Sequence, residues 1–202
     1  MTYTTQRQRA MRIAEEKAVF SSGDAARRGV HSQVLTRMVE EGRLERVARG
    51  RYRFPGAPLT ENHNLALVAG AVPGGVVCLL SALSFHGIGT QVPSRVWIAL
   101  DRRARKPSQE WPPMRVVRFS GEALTEGVAT HTIEGVAVKV YGVAKTLADL
   151  FKYRHKLGID VALEALKEVW RSGHLDVDEL LHFARICRVE RVMRPYLESV
   201  TA

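Results

Sequence analysis

Three observations predict an α+β chain built in two parts. Apolar residues at helical spacing occupy the first segment and recur over the last third, four short β-branched runs lie between them, and Pro55-Gly56-Ala57-Pro58 interrupts the pattern. The two prolines remove backbone donors and disfavour continued helix or sheet, so the expected domains are 1–55 and 59–202. With 202 residues, 46% hydrophobic and 25% charged, the chain has material for a packed core, which excludes disordered, collagenous and mucin-like classes.

In the first segment, Ala10, Ile13, Ala14 and Lys17 recur every three to four residues and predict a helix from Gln6 to Ala18. Ser21 and Asp24 have capping-box spacing, so a short helix from Asp24 to Arg28 is expected, ended by Gly29. A third helix starts from Ser32 as candidate N-cap, shares Leu35, Met38 and Val39 on one face, and closes at Gly42. Beyond it, Arg49-Gly50 reads as a turn, and Arg51 and Arg53 alternate with Tyr52 and Phe54. Period-two geometry then predicts both arginines in solvent on one face of a hairpin and both aromatics docked on the helices.

Three helices followed by a basic hairpin make a winged helix-turn-helix. Charge agrees with a nucleic-acid partner: the chain carries 30 Lys+Arg against 21 Asp+Glu, a net +9, and residues 1–55 hold twelve of the cations and only six of the carboxylates. The expected contacts with double-stranded DNA are Ser32, Gln33, Thr36 and Arg37 on the third helix and Arg46, Arg49, Arg51 and Arg53 on the wing. Glu40 and Glu41 oppose deep insertion of the helix's far end, which leaves its N-terminal half to read bases.

The second part is expected to hold a helix over Leu59 to Val72, a short apolar run at Val76 to Leu80, and a small capped helix at Ser81 to Ile88. Strands at Val96 to Leu100, Met114 to Phe119, Gly127 to Thr132 and Val136 to Tyr141 form a small antiparallel or mixed sheet packed with helices. A C-terminal helical segment of four helices follows from Val143. The loop after the first strand carries Arg102, Arg103, Arg105 and Lys106, a second nucleic-acid patch or a soluble connection. Asp160, Glu164 and Glu168, interleaved with Lys167 and Arg171, read as a solvated, salt-paired helix face.

Cys78 and Cys187 form no CxxC pair, so neither a disulfide framework nor a zinc site is expected, and no cofactor. The N-terminus lacks an apolar stretch of signal-peptide length and the longest apolar run is too short to span a bilayer, so the expectation is a cytoplasmic protein with no membrane partner.

Three stretches, Asp24-Ala25-Ala26 through Gly29-Val30 with Gly42 to Tyr52, Ser81-Ala82-Leu83, and Lys145-Thr146-Leu147-Ala148-Asp149-Leu150-Phe151, together resemble the AbiEi antitoxins of type IV AbiE toxin–antitoxin systems. The resemblance implies a transcriptional repressor that binds inverted repeats upstream of its own operon. It also implies an antitoxin of abortive infection and phage defence that counters a neighbouring nucleotidyltransferase-like toxin without requiring a stable complex. No catalytic residue is carried over. Some relatives bear a nuclease domain, which needs an acidic residue followed by carboxylate-x-Lys on a sheet; here Glu15-Glu16-Lys17 falls in the first helix and Glu134 to Lys139 is too widely spaced. Two other readings compete: a winged-helix regulator without a toxin, and a nucleic-acid-processing enzyme using His86, Asp149 and a basic cleft.

Overall fold

A computed structural model describes residues 5–17, 19–48, 50–56, 60–105, 107 and 111–201. The chain forms two compact units, one of Met1–Pro73 with His131–Val138, the other of Gly74–Thr130 with Lys139–Ala202. The α+β class and the helical C-terminal segment are as the sequence predicts.

In the first unit, α1 (Gln6–Glu16) buries Ala10, Ile13 and Ala14 on one stripe. Strand β1 (Val19–Ser21), a segment the sequence left unassigned, precedes α2 (Ser22–Arg27). Ser21 caps α2 as its spacing predicts: its hydroxyl accepts the Asp24 N–H at 2.9 Å, and the Asp24 carboxylate accepts the Ser21 N–H at 2.9 Å. Gly29, at φ +70°, turns the chain toward α3 (Ser32–Glu40). Ser32 is the first helical residue and not the N-cap; His31 takes that position without a side-chain cap bond, its own N–H donating to Gln6 Oε1 at 3.0 Å.

Strands β2 (Glu45–Ala48) and β3 (Arg51–Arg53) complete a sheet of order β1-β3-β2. Phe20 stands opposite Tyr52 across β1 and β3, with ring centroids 5.8 Å apart, and both sit in a core with Ile13, Leu35, Met38 and Leu44. Phe54, expected to dock on the helices, is 39% exposed. It follows the last paired residue of β3, so no sheet register holds it against the core.

Helix α4 (His63–Ala71) starts later than predicted, and Leu59 lies outside the described residues. The unit is completed from far along the chain. Glu134 and Gly135, both at positive φ, form the two-residue turn between β7 (Val128–Ile133) and β8 (Val136–Tyr141). The Glu134 carboxylate accepts from the Thr60 N–H at 3.0 Å, the Thr60 hydroxyl at 2.9 Å and His63 Nδ1 at 2.7 Å. Burial pushes this carboxyl up, but these donors outweigh it and hold the group below its ordinary value. Only glycine fits at position 135, where a Cβ would lie 2.9 Å from the Lys17 Cα. These ties join His131–Val138 to the compact unit of Met1–Pro73.

The second unit holds β4 (Val76–Val77), α5 (Leu79–Phe85), β5 (Val96–Asp101), β6 (Met114–Phe119) and α6 (Glu122–Thr125), in a mixed sheet of order β6-β5-β4-β8-β7. Strands β4 and β5 are antiparallel, while β5–β6 and β4–β8 are parallel. Ser81 lies inside α5, not at its cap, and its hydroxyl accepts the Trp97 N–H at 2.9 Å, tying helix to strand. Five helices follow instead of four: α7 (Val143–Lys152), a single turn α8 (Arg154–Leu157), α9 (Ile159–Arg171), α10 (Val177–Ile186) and α11 (Glu190–Thr201). The α9 carboxylates do more than face solvent, since Glu168 accepts the Gly89 N–H at 2.8 Å and Glu164 the Thr90 hydroxyl at 3.2 Å.

Helix α7 is the centre of this unit, and every residue from Ala144 to Phe151 is buried. Lys145 and Asp149 form an ion pair at 2.5 Å, with side chains 0% and 1% exposed. The Lys145 Nζ lies 4.2 Å from the Tyr141 ring centroid and 4.8 Å from that of Phe119, and the Cys187 thiol donates to Asp149 at 3.2 Å. Burial raises the Asp149 carboxyl above its ordinary value and the Lys145 ammonium partly offsets the rise. Burial beside Asp149 also pushes the Cys187 thiol up to about 12, which keeps it protonated at neutral pH.

Two predictions follow from these contacts. Asp149→Ala leaves an uncompensated buried ammonium and lowers stability by about 3–5 kcal/mol, whereas Lys145→Met with Asp149→Leu loses much less; guanidinium denaturation of both variants checks the difference. Asp24→Ala costs about 1 kcal/mol at pH 7, through loss of the capping box. Burial pushes the Asp24 carboxyl up, yet the Ser21 N–H and hydroxyl and the Lys17 ammonium hold it well below the usual range. Its contribution is therefore complete above the unfolded value of about 3.9 and fades as pH falls toward the native one. The gap between the urea midpoints of parent and variant should stay constant from pH 7 to about pH 5 and narrow from there to pH 3.

Candidate nucleic-acid interface

Helix α3 exposes Ser32, Gln33, Thr36 and Arg37 while burying Leu35 and Met38. The polar face follows from the sequence period, since residues three and four apart share a side. Thr36 is partly occupied, its hydroxyl donating to the Ser32 carbonyl at 3.2 Å. Arg37 has no carboxylate partner among the described residues. Glu41, expected to repel a polyanion, lies 2.7 Å from Arg7 Nη2 and 3.9 Å from Arg43 Nε, so its charge is locally offset.

The wing departs from the expectation of free arginines. Glu45 stands opposite Arg53 across β2 and β3, and its carboxylate takes both Nε and Nη2 of Arg53 at 2.5 Å. The Arg53 side chain is only 17% exposed, so its charge is paired and largely withdrawn. Arg51 turns toward α4, where its guanidinium carbon lies 3.0 Å from the place a Cβ would take on Gly70. Burial lowers its basicity, and Asp24 partly restores it. A glycine inside a helix gave no sequence reason to expect this contact.

The turn of the wing is tethered as well. Gly50, at φ +69°, accepts the Ser22 N–H at 2.9 Å, so the hairpin end lies against the start of α2. Arg46 stands opposite Tyr52 on the edge strand β2 and is exposed without a carboxylate partner among the described residues. Arg49 lies outside the described residues. Among the described candidate contacts, the arginines that stay exposed with no carboxylate within 4.0 Å in this unit are therefore Arg37 and Arg46. The period-two rule placed Arg51 and Arg53 on one face correctly, but the partners on that face came from Glu45 and Gly70.

In the second unit the candidate residues are dispersed. Arg103 and Arg105 are exposed, Arg102 lies at the mouth of a cleft, and Lys106 is outside the described residues. His86 Nε2 donates to the Tyr141 carbonyl at 2.8 Å and Asp149 is closed in the core, so neither lines the cleft. Among the described residues there is no group of three His, Cys, Asp or Glu placed to hold a metal ion, and no helix is long and apolar enough to cross a membrane.

Residues 8–55 match the family model described as a transcriptional regulator, AbiEi antitoxin. The match covers most of α1, then α2, α3 and the β2–β3 hairpin; the stretches around Ser81 and Lys145 lie beyond it. The fold of the whole chain is similar to a crystal structure of the RV2827C protein from Mycobacterium tuberculosis, with a TM-score of 0.60 at 15% identity over 94% of this chain and 80% of that one. No curated protein matches the sequence.

The pairing pattern separates the wing arginines by experiment. Arg46→Ala should lower the salt slope of DNA binding by about 0.9, the loss of one phosphate contact, while Arg53→Ala should leave it nearly unchanged. Fluorescence anisotropy against a duplex at several salt concentrations checks both slopes.

Proposed function

We propose that this protein is a DNA-binding transcriptional autorepressor and the antitoxin of a type IV AbiE-like system, countering a nucleotidyltransferase-like toxin. The observation that carries the DNA-binding half is the exposed face of α3, where Gln33 and Arg37 stand clear of protein partners beside the uncapped start of the helix. Arginine and glutamine suit bidentate contacts to guanine and adenine edges, and free N–H groups at a helix start suit a phosphate. Residues 1–55 then act as a winged helix-turn-helix on inverted repeats upstream of the operon, with Ser32, Thr36, Arg46 and Arg49 as further contacts. Arg51 and Arg53 serve mainly to hold the wing. The second unit, without a catalytic role, carries neutralisation. The family match over residues 8–55 supports the regulator and antitoxin classes together.

A winged-helix regulator without a toxin is the second reading, favoured by the confinement of that match to the first segment. Fluorescence anisotropy on the protein's own upstream DNA and on a scrambled duplex tests the repressor; equal weak binding to both removes it. Changing Gln33 or Arg37 to Ala should cost about 1–3 kcal/mol on the specific site and little on the scrambled one. Growth rescue on co-expression with the neighbouring gene tests the antitoxin, and a neighbour that is harmless alone leaves only the regulator.

A further inference from the structure

A cleft of about 890 Å³ opens in the second unit, and of the residues placed on DNA only Arg102 lines it. Its lining gathers five cations from four separate stretches of chain: Arg102, Arg118, Lys152, Arg154 and Arg188, against the single carboxylate of Glu122. None of the five lies within 4.0 Å of a carboxylate among the described residues, whereas Arg7, Arg27, Arg28, Arg53 and Arg194 are all paired. Arg118 is held by the carbonyls of Asp101 and Ala104 at 2.8 and 2.9 Å, and Arg154 by that of Phe151 at 2.8 Å. Neutral carbonyls orient these guanidinium groups without cancelling their charge.

Arg188 adds an independent sign of purpose. It follows α10 at φ +59°, the left-handed position that glycine fills without cost, with its N–H on the Arg185 carbonyl at 3.0 Å. A side chain there is strained, and such strain clusters at ligand clamps and active sites. Like charges brought together in a cleft repel one another unless an anion lies between them. Guanidinium forks match phosphate oxygens bidentately, the net positive charge of the lining is of a size to balance a triphosphate's negative one, and the volume suits a nucleotide-sized molecule.

We propose that this cleft binds a polyphosphate anion of nucleotide size, held by Arg102, Arg118, Lys152, Arg154 and Arg188. The site is separate from DNA reading and stands whether or not the first unit is a repressor. Isothermal titration of the full chain with inorganic triphosphate, ATP and GTP tests it at low ionic strength. Saturable binding near one per chain is expected, weakened about tenfold or more in Arg188→Gly and in Arg154→Gln. Tighter binding of a nucleotide than of triphosphate would assign the base or ribose a place in the cleft; equal affinities would assign the phosphate chain alone, and both support the site. Arg188→Gly also relieves the left-handed strain, so its unliganded melting temperature should equal or exceed the parent's, which separates lost binding from lost folding. Absence of saturable binding, parent-like affinity in both variants, or a matching loss of duplex-DNA affinity in Arg188→Gly would each overturn the proposal.

Discussion

The second unit is organised around one expensive interaction, the ammonium of Lys145 sealed against the carboxylate of Asp149. Two charges taken out of water cost several kcal/mol each, and the pair holds only because the surroundings are arranged for it. The faces of Phe119 and Tyr141 receive the cation, and the Cys187 thiol occupies the second carboxylate oxygen. Close approach is secured by Gly127, since a Cβ there would sit 2.8 Å from both Lys145 Cβ and Phe183 Cζ. Strand β6, strand β8, helix α7 and the end of α10 all contribute a group, so the pair fixes how sheet and helices meet. An apolar substitute would fill the space without specifying that arrangement.

The first unit solves the opposite problem, an excess of cations on a small body. Much of the N-terminal charge is spent internally: Glu16 on Arg28, Asp24 on Arg27 and Lys17, Glu41 on Arg7, Glu45 on Arg53. Exposed pairs of this kind add little stability each. Their effect is spatial, because they select which arginines keep an open field. Among the described residues, Arg37 on α3, Arg46 on the edge strand β2 and Arg12 on α1 belong to the cations left exposed with no carboxylate within 4.0 Å, a distribution that the net charge alone does not give.

Local rules explain which parts were legible in the sequence. The Ser21–Asp24 capping box, the Gly29 and Gly42 turns, the buried stripe of α1 and the strands from Val96 to Tyr141 depend on neighbours within a few residues, and they lie where spacing predicts. Strand β1 escaped because three residues carry too little periodicity, and its assignment comes from β3, some thirty positions on. The withdrawal of Arg51 and Arg53, the cap-free start of α3 and the role of Ser81 inside α5 are likewise set by partners remote in sequence. The cleft was half visible: Arg102 stood out in a basic loop, but Arg118, Lys152, Arg154 and Arg188 converge only in three dimensions.

The Glu134 turn has a consequence for how the molecule comes into being. His63 and Thr60 wait for a carboxylate that lies 71 and 74 positions later in the chain. At synthesis rates of about 5–20 residues per second, that partner emerges roughly 4–15 s after them. Throughout this interval the residues of α1, α2 and α3 have been made while the turn that completes their unit has not. A chain that stops short of Glu134 therefore lacks the carboxylate that fastens Thr60 and His63. Full firmness of the first unit is reserved for chains that have also made β4, β5, β6 and β7.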